Sequence, residues 1–321
     1  MNYKPILIVA GEPNSVFLEI FFKSIQKNYY KSPLIIIVCK KLLIEQMDYL
    51  DFNFKINQIN LDNVNFEKLN NKKINIVNIN YNFENTFEKI SKKSNNYINK
   101  SFKVALEILK KNKFSKFVNG PISKKHFLGG KSLGITEYLA KEIKEKNEVA
   151  MLIFNKKLSV SPITTHLALK DVHKQISKKK IYTHVKLITE FYKKNFKKNP
   201  KIAITGLNPH CESNFKDCEE DAIITPAIKS LKTKNFKVEG PFPADTIFMQ
   251  KHLKKFDVIV GMYHDQVLTP MKALYGFDAI NITLGLPFVR ISPDHGPNSS
   301  MLGKNLSDPK SLIEALKFLD K

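Results

Sequence analysis

Glycine is missing from the entire stretch between Gly11 and Gly120. A Rossmann fingerprint or a P-loop needs several glycines close together where a strand opens into a helix, so the first third of the chain holds neither. Tryptophan is absent, and the three cysteines, Cys39, Cys211 and Cys218, form no CxxC pair. That excludes a cysteine-built zinc ribbon and a disulfide framework, and the expected compartment is a reducing cytoplasm. Long apolar runs are missing as well. The longest, residues 34–39 and 149–154, are strand-sized against the ~18 residues a membrane-spanning helix needs. Met1-Asn2-Tyr3-Lys4-Pro5 runs straight into apolar residues 6–10, and no signal peptide is expected. Arginine is almost absent: of 52 basic residues only Arg290 is one. Lysine replaces arginine at most solvated positions, but not where a planar fork must grip phosphate or carboxylate. Arg290 is therefore a candidate for such work.

What abounds is lysine. Basic residues outnumber 30 acidic ones for a formal charge of +22, yet they are scattered rather than gathered into an arm or a helix face. Asn, Ile and Lys recur throughout, as in Asn70-Asn71-Lys72-Lys73-Ile74-Asn75-Ile76, which marks a chain-wide drift of composition. Such a surface attracts anionic metabolites and, without specificity, polyanions; specific nucleic-acid recognition is not expected. Hydrophobic residues make up 43% of the 321. That suffices for a substantial core, and the length corresponds to two domains or one large α/β unit.

Short apolar runs alternate with amphipathic stretches. Strands are expected at residues 5–10, 33–39, 54–59 and 74–79, and helices at 15–26, 40–47 and 95–111. The last rests on the helical spacing of Ile98, Phe102, Ala105, Leu106 and Leu109. Beyond residue 148, strands at 149–154, 158–164, 201–206 and 257–261 alternate with helices at 169–194, 221–231 and 311–319. The class is α/β with a largely parallel sheet.

Three of these strands lead into histidine: through Thr165-His166, through Gly206-Leu207-Asn208-Pro209-His210, and through Gly261-Met262-Tyr263-His264-Asp265. In a parallel sheet the carboxyl ends of the strands face one crevice. Three histidines delivered there can make an open metal site, with water or substrate in the remaining positions. A lone loop histidine is more often a satisfied polar residue; the placement shared by three favours ligation. His126, His173, His184 and His252 lack it and are read as surface. Lys272, Asn281 and Arg290 offer two cations and an amide, the donors a phosphate monoester requires, although solvated surface is the commoner fate of a lysine such as Lys272. Asp245 and the pair Asp294-His295 are further loop groups, for which capping of helices or turns is the alternative role.

Five segments together carry a resemblance: Thr164-Thr165-His166-Leu167, Gly206-Leu207-Asn208-Pro209-His210, Gly240-Pro241-Phe242-Pro243-Ala244-Asp245-Thr246, Tyr263-His264-Asp265-Gln266, and residues 281–290 followed by Asp294-His295-Gly296. In order and spacing, over residues 118–300, they resemble the 4-hydroxythreonine-4-phosphate dehydrogenase family, with a weaker match at Gly11-Glu12-Pro13. The resemblance implies an isopropylmalate-dehydrogenase-like fold of two α/β domains, residues 1–122 with 284–321 and residues 123–283, the second bearing the histidines and the contacts of a homodimer. It implies a divalent metal (zinc, cobalt or magnesium) held by His166, His210 and His264 and shared between subunits. Substrate contacts implied are Thr136, Lys272, Asn281 and Arg290. The implied reaction is oxidation of the C3 hydroxyl of 4-phosphohydroxy-L-threonine by NAD or NADP, then decarboxylation to 3-amino-2-oxopropyl phosphate, for pyridoxal phosphate synthesis. Asp245 and a metal-bound hydroxide are both candidates to take the hydroxyl proton.

The chain also departs from the family pattern. The opening Gly-Glu/Asp-Pro-Ala-Gly-Ile-Gly-Pro is here Gly11-Glu12-Pro13-Asn14-Ser15-Val16-Phe17-Leu18, and Gly-His-Thr-Glu is here Gly134-Ile135-Thr136-Glu137. Cys211-Glu212 and Gly296-Pro297-Asn298 differ too. A histidine lost at position 135 leaves the substrate amine or carboxylate one partner short, worth on the order of 1–3 kcal/mol if buried. Two alternatives follow: a dehydrogenase of another phosphorylated hydroxy acid, of phospho-threonate type, and a non-catalytic metal- or anion-binding descendant.

Overall fold

A computed structural model describes residues 3–112, 114–129, 134–143, 148–212, 218–276, 278–293 and 296–320. Asp294 and His295, singled out above, lie outside the described residues. The chain opens with β1 (Ile6–Val9), α1 (Phe17–Lys27), β2 (Leu34–Val38), α2 (Lys40–Tyr49), β3 (Ile56–Gln58), β4 (Ile74–Asn78), α3 (Asn95–Lys111) and β5 (Lys116–Asn119). Next come α4 (Ile135–Glu142), β6 (Ala150–Phe154), β7 (Ser159–Thr164), α5 (Val172–Gln175), α6 (Lys178–Phe196), β8 (Ile202–Thr205), α7 (Thr225–Thr233), β9 (Val238–Phe242), α8 (Gln250–Leu253), β10 (Val258–Tyr263), α9 (His264–Tyr275) and β11 (Ile280–Leu284). β12 (Val289–Pro293) and α10 (Lys310–Leu319) complete it. Backbone packing divides the chain into two compact units, Met1–Ile135 with Pro287–Lys321, and Thr136–Leu286.

In the first unit the strands run in the order β3-β4-β2-β1-β5-β12, and every pairing is parallel. β1 and β2 are buried at every residue, as strands covered on both faces must be, which is why they read as unbroken apolar runs. Helices α1 and α3 cover the sheet with Phe17, Ile20, Phe21 and Phe22, and with Ile98, Phe102, Ala105 and Leu109. The turn at Lys124–Leu128 packs on this unit. Phe127 lies 6.4 Å from Phe102 between ring centroids, and Asn95 Nδ2 donates to the His126 carbonyl at 2.8 Å. These contacts carry the unit to residue 135, beyond the 122 expected.

In the second unit the order is β11-β6-β7-β10-β8-β9. β7, β10, β8 and β9 are parallel, while β6 runs against both of its neighbours. Under these strands lies a core that includes Ile153, Val160, Ala203, Ile259, Val267 and Met271. The stretch expected to be helical at 169–194 is a short turn and α5, followed by the nineteen-residue α6, whose first turn is capped by the Ser177 side chain accepting from the Lys180 amide. One histidine expected at the surface is instead in the interior. His184 is 3% exposed, on the face of α6 that buries Ile181, Val185 and Ile188. Its Nδ1 lies 3.4 Å from Ser161 Oγ, and burial pushes the imidazole down to about 3, helped by the charge of Lys180.

Candidate active site

β7, β10 and β8 are consecutive neighbours running the same way, so Thr164, Tyr263 and Thr205 finish at one edge of their sheet. His166 lies two residues beyond β7, His264 opens α9 directly after β10, and His210 sits in a tight turn five residues beyond β8. The His166 and His264 rings are 5.6 Å apart between centroids, tilted by 40°. His264 Nδ1 is 2.7 Å from Asp265 Oδ1. With Nδ1 protonated the carboxylate accepts, which leaves Nε2 with the lone pair an ion needs. His210 is exposed, and it and Cys211 both hold left-handed backbone, φ 59° and 60°, uncommon for residues with a Cβ. Among the described residues, no group of three or more His, Cys, Asp or Glu is gathered closely enough to hold a metal ion. The donors thus suit a divalent ion in kind, and His166 and His264 stand side by side. His210 is the member that the strands alone do not gather.

Two buried residues that sequence reasoning did not single out shape this edge. Gln266 Oε1 accepts from Thr205 Oγ1 at 2.8 Å and from the Met262 amide at 2.6 Å, and its Nε2 donates to the Gly206 carbonyl at 2.8 Å. Glu220 Oε1 accepts from the amides of Leu207 and Asn208 at 2.7 and 2.8 Å, and its Oε2 from Asn208 Nδ2 at 2.8 Å. Burial works to raise the Glu220 carboxyl, but the hydrogen bonds from Asn208, Leu207 and its own backbone outweigh it and hold the group low, hence ionised. Gln266 was in view as the last residue of Tyr263-His264-Asp265-Gln266. Glu220 had no such signal, because nothing in the sequence ties it to residues 207–208.

The other candidates of the second unit lie on α4, β11, α9 and the loop after β9. Thr136, at the start of α4, is buried, its hydroxyl 3.2 Å from that of Thr283 on β11. Asn281, two residues before Thr283 and so on the same face, has a buried Oδ1 without a hydrogen-bond partner among the described residues. That atom is an open acceptor. Glu137, next to Thr136, accepts from Thr165 Oγ1 at 3.3 Å, tying α4 to the segment that bears His166; its Oε2 is buried and likewise open among the described residues. Lys272 is exposed, two turns along α9 from His264. Asp245 is exposed, and its charge, after burial and Glu220, helps push the Cys211 thiol up.

In the first unit Arg290 lies on β12 at 0% exposure, its Nε donating to Asn119 Oδ1 at 2.7 Å. The strand order reverses between β1 and β5, where open α/β sheets commonly take ligands. Gly11 and Gly120 stand there, and neither offers a cradle. A Cβ at Gly11 would fall on the Pro121 carbonyl, and one at Gly120 on the Ala10 carbonyl and 2.7 Å from the Phe17 ring. Both glycines are used for close packing of the chain on itself. Glu12 lies buried beside them, accepting from Ser94 Oγ at 2.9 Å, with its carboxyl raised by burial.

The profile of the family described as "Pyridoxal phosphate biosynthetic protein PdxA" matches residues 30–319. The 4-hydroxythreonine-4-phosphate dehydrogenase of Sulfurihydrogenibium sp. is 39% identical, over 98% of this chain and 96% of that protein. The D-threonate 4-phosphate dehydrogenase of Salmonella typhimurium is 29% identical over 99% of this chain and 98% of its own length. Among solved structures, the 4-hydroxythreonine-4-phosphate dehydrogenase of Klebsiella pneumoniae superposes with a TM-score of 0.82 at 27% identity, covering 99% of this chain and 97% of the other. On its match to the family profile across both units and its identity to such relatives over nearly its whole length, the chain belongs to the PdxA family of pyridoxal phosphate biosynthetic proteins.

Proposed function

We propose that this PdxA-family dehydrogenase oxidises the C3 hydroxyl of 4-phosphohydroxy-L-threonine with NAD or NADP, and that the resulting β-keto acid loses CO2 to give 3-amino-2-oxopropyl phosphate. The observation that carries the reading is the delivery of His166, His264 and His210 from three neighbouring parallel strands, two of them already side by side. The name of the Sulfurihydrogenibium relative supports the substrate. His166, His210 and His264 would hold a divalent ion, which would supply Lewis acidity for the reacting oxygens, and a bound dinucleotide would supply the hydride acceptor. The remaining roles fall to the chain itself. Lys272 and Arg290 each offer a cation to the substrate's anionic groups, so that binding energy remote from the reacting carbon is spent on orientation. The Thr136 hydroxyl and the open Oδ1 of Asn281 meet the polar groups of the substrate. Asp245 takes up the hydroxyl proton. The active form in this reading is a homodimer with a shared site.

A second reading rests on Ile135, where the family pattern has histidine. It makes the substrate a phosphorylated hydroxy acid without the amine, as the name of the Salmonella relative describes for that protein. One assay separates the two. The purified protein is given 4-phosphohydroxy-L-threonine or D-threonate 4-phosphate with NAD or NADP and a divalent metal, and the absorbance of the reduced cofactor is followed. Reduction with the first substrate, lost on chelation and in His210→Ala, supports the leading reading. Reduction with the second alone moves the assignment to the hydroxy acid, and no reduction with either overturns both.

A further inference from the structure

We propose that Gln266 is a positioning residue, which locks the ends of β8 and β10 in one register and thereby fixes where His210 and His264 emerge. The inference rests on the metal-site reading above. Gln266 is 8% exposed, and its amide is bonded at both ends: two donors converge on Oε1, one from each strand, while Nε2 closes on the Gly206 carbonyl. The linkage extends on either side. Thr164 Oγ1, at the end of the strand before His166, donates to the Met262 carbonyl at 2.7 Å. Beyond Gly206, Glu220 gathers the amides of Leu207 and Asn208, three and two residues before His210. A run of polar contacts, buried around Gln266 and part-buried at Glu220, thus joins the three segments that bear the histidines.

The backbone is cleared to admit these side chains. A Cβ at Gly261 would fall on Val267 Cγ1 and lie 3.0 Å from Gln266 Oε1. One at Gly206 would lie 2.7 Å from Cys211 Sγ and 2.8 Å from Glu220 Oε1. An apolar side chain of the same size would fill the space of Gln266 but leave the Thr205 hydroxyl, the Met262 amide and the Gly206 carbonyl without it. The amide therefore specifies alignment rather than merely occupying volume. Groups that orient metal ligands from behind typically govern affinity by 10–100-fold when removed.

The test uses the full-length protein, stripped of metal and titrated with Co(II) while the visible absorption of the bound ion is followed. Gln266→Met is expected to weaken Co(II) binding by about 10–100-fold with the far-ultraviolet circular dichroism unchanged. Gln266→Glu keeps both acceptor bonds but turns an oxygen towards the Gly206 carbonyl, and is expected to recover only part of that loss. Wild-type Co(II) affinity in Gln266→Met, even with a lower melting temperature, would show a merely structural amide and overturn the proposal. A wild-type protein that takes up no Co(II) sinks the metal-site reading itself, and the positioning role with it. Should Gln266→Met not fold, Thr205→Val removes one donor alone. About fivefold weaker Co(II) binding is then expected, the equivalent of one ordinary hydrogen bond, and an unchanged affinity overturns the inference.

Discussion

An imidazole sealed in a helix–sheet contact cannot take up a proton without leaving the contact, and His184 is in that position. Its pKa is about 3 in the folded protein against 6.5 when free. The folded state therefore binds fewer protons than the unfolded one as pH falls, and stability present above about pH 6.5 is lost between there and about pH 3. Urea unfolding of the wild type should lose up to about 1.4 kcal/mol per pH unit from this residue within that window. His184→Leu should show a shallower dependence by about one proton; an identical slope would refute the role. The misplacement of this residue is instructive. Ile181, His184, Val185 and Ile188 follow the spacing of one helix face, so the signal was present, and a polar residue type outweighed it. Arg290 drew notice through scarcity rather than spacing, and it lies buried on β12. Its retention inside the first unit leads to a further expectation: Arg290→Lys raises KM for the phosphorylated substrate by about 10–100-fold, since an ammonium cannot reproduce the fork. A KM within twofold of wild type would remove the arginine from substrate binding.

At the scale of elements, legibility followed burial pattern. β1 and β2 are apolar throughout because both faces are covered, and α3 shows its spacing over the same residues, 95–111, that form the helix. β11 and β12 had no such clarity. Asn281 and Thr283 alternate with buried Ile280, Ile282 and Leu284 over only five residues, a strand pattern too short to stand out. β9 is masked differently, by Gly240 and Pro241 inside it. The reversed direction of β6 leaves no trace at all, since a buried strand has the same composition either way. Of the candidate site, the strand-end histidines were legible from spacing, whereas the polar residues that tie the strand ends together depend on contacts between segments far apart in the chain. The close packing of β1, β5 and α1 gives a test at this scale. Gly120→Ala drives a methyl group into the Ala10 carbonyl and the Phe17 ring. It should destabilise the protein by about 1–3 kcal/mol, read as a lower urea midpoint at unchanged m-value; an unshifted midpoint would mean that the backbone yields freely there.

For the molecule as a whole, the charge of +22 is a long-range property and not part of any one site. It should draw the proposed phosphorylated substrate towards the protein, and it is screened over about 10 Å at 0.1 M salt. kcat/KM should therefore fall several-fold between low and high ionic strength, mostly through KM, with kcat nearly constant. Affinity for duplex DNA should vanish over the same range, as expected for counterion release without base recognition; DNA binding that persists at high salt would contradict this. In the two compact units lysine stays at solvent, while β1, β2 and the core of Ile153, Val160 and Ile259 stay apolar. One consequence concerns the time dimension of the active-site edge. The amide of Met262 is bonded not to a strand but to a side chain, Gln266 Oε1. Its exchange with deuterated water then reports the opening of that one linkage, separately from the unfolding of β10, so a single backbone proton can clock how often the histidine-bearing strand ends come apart.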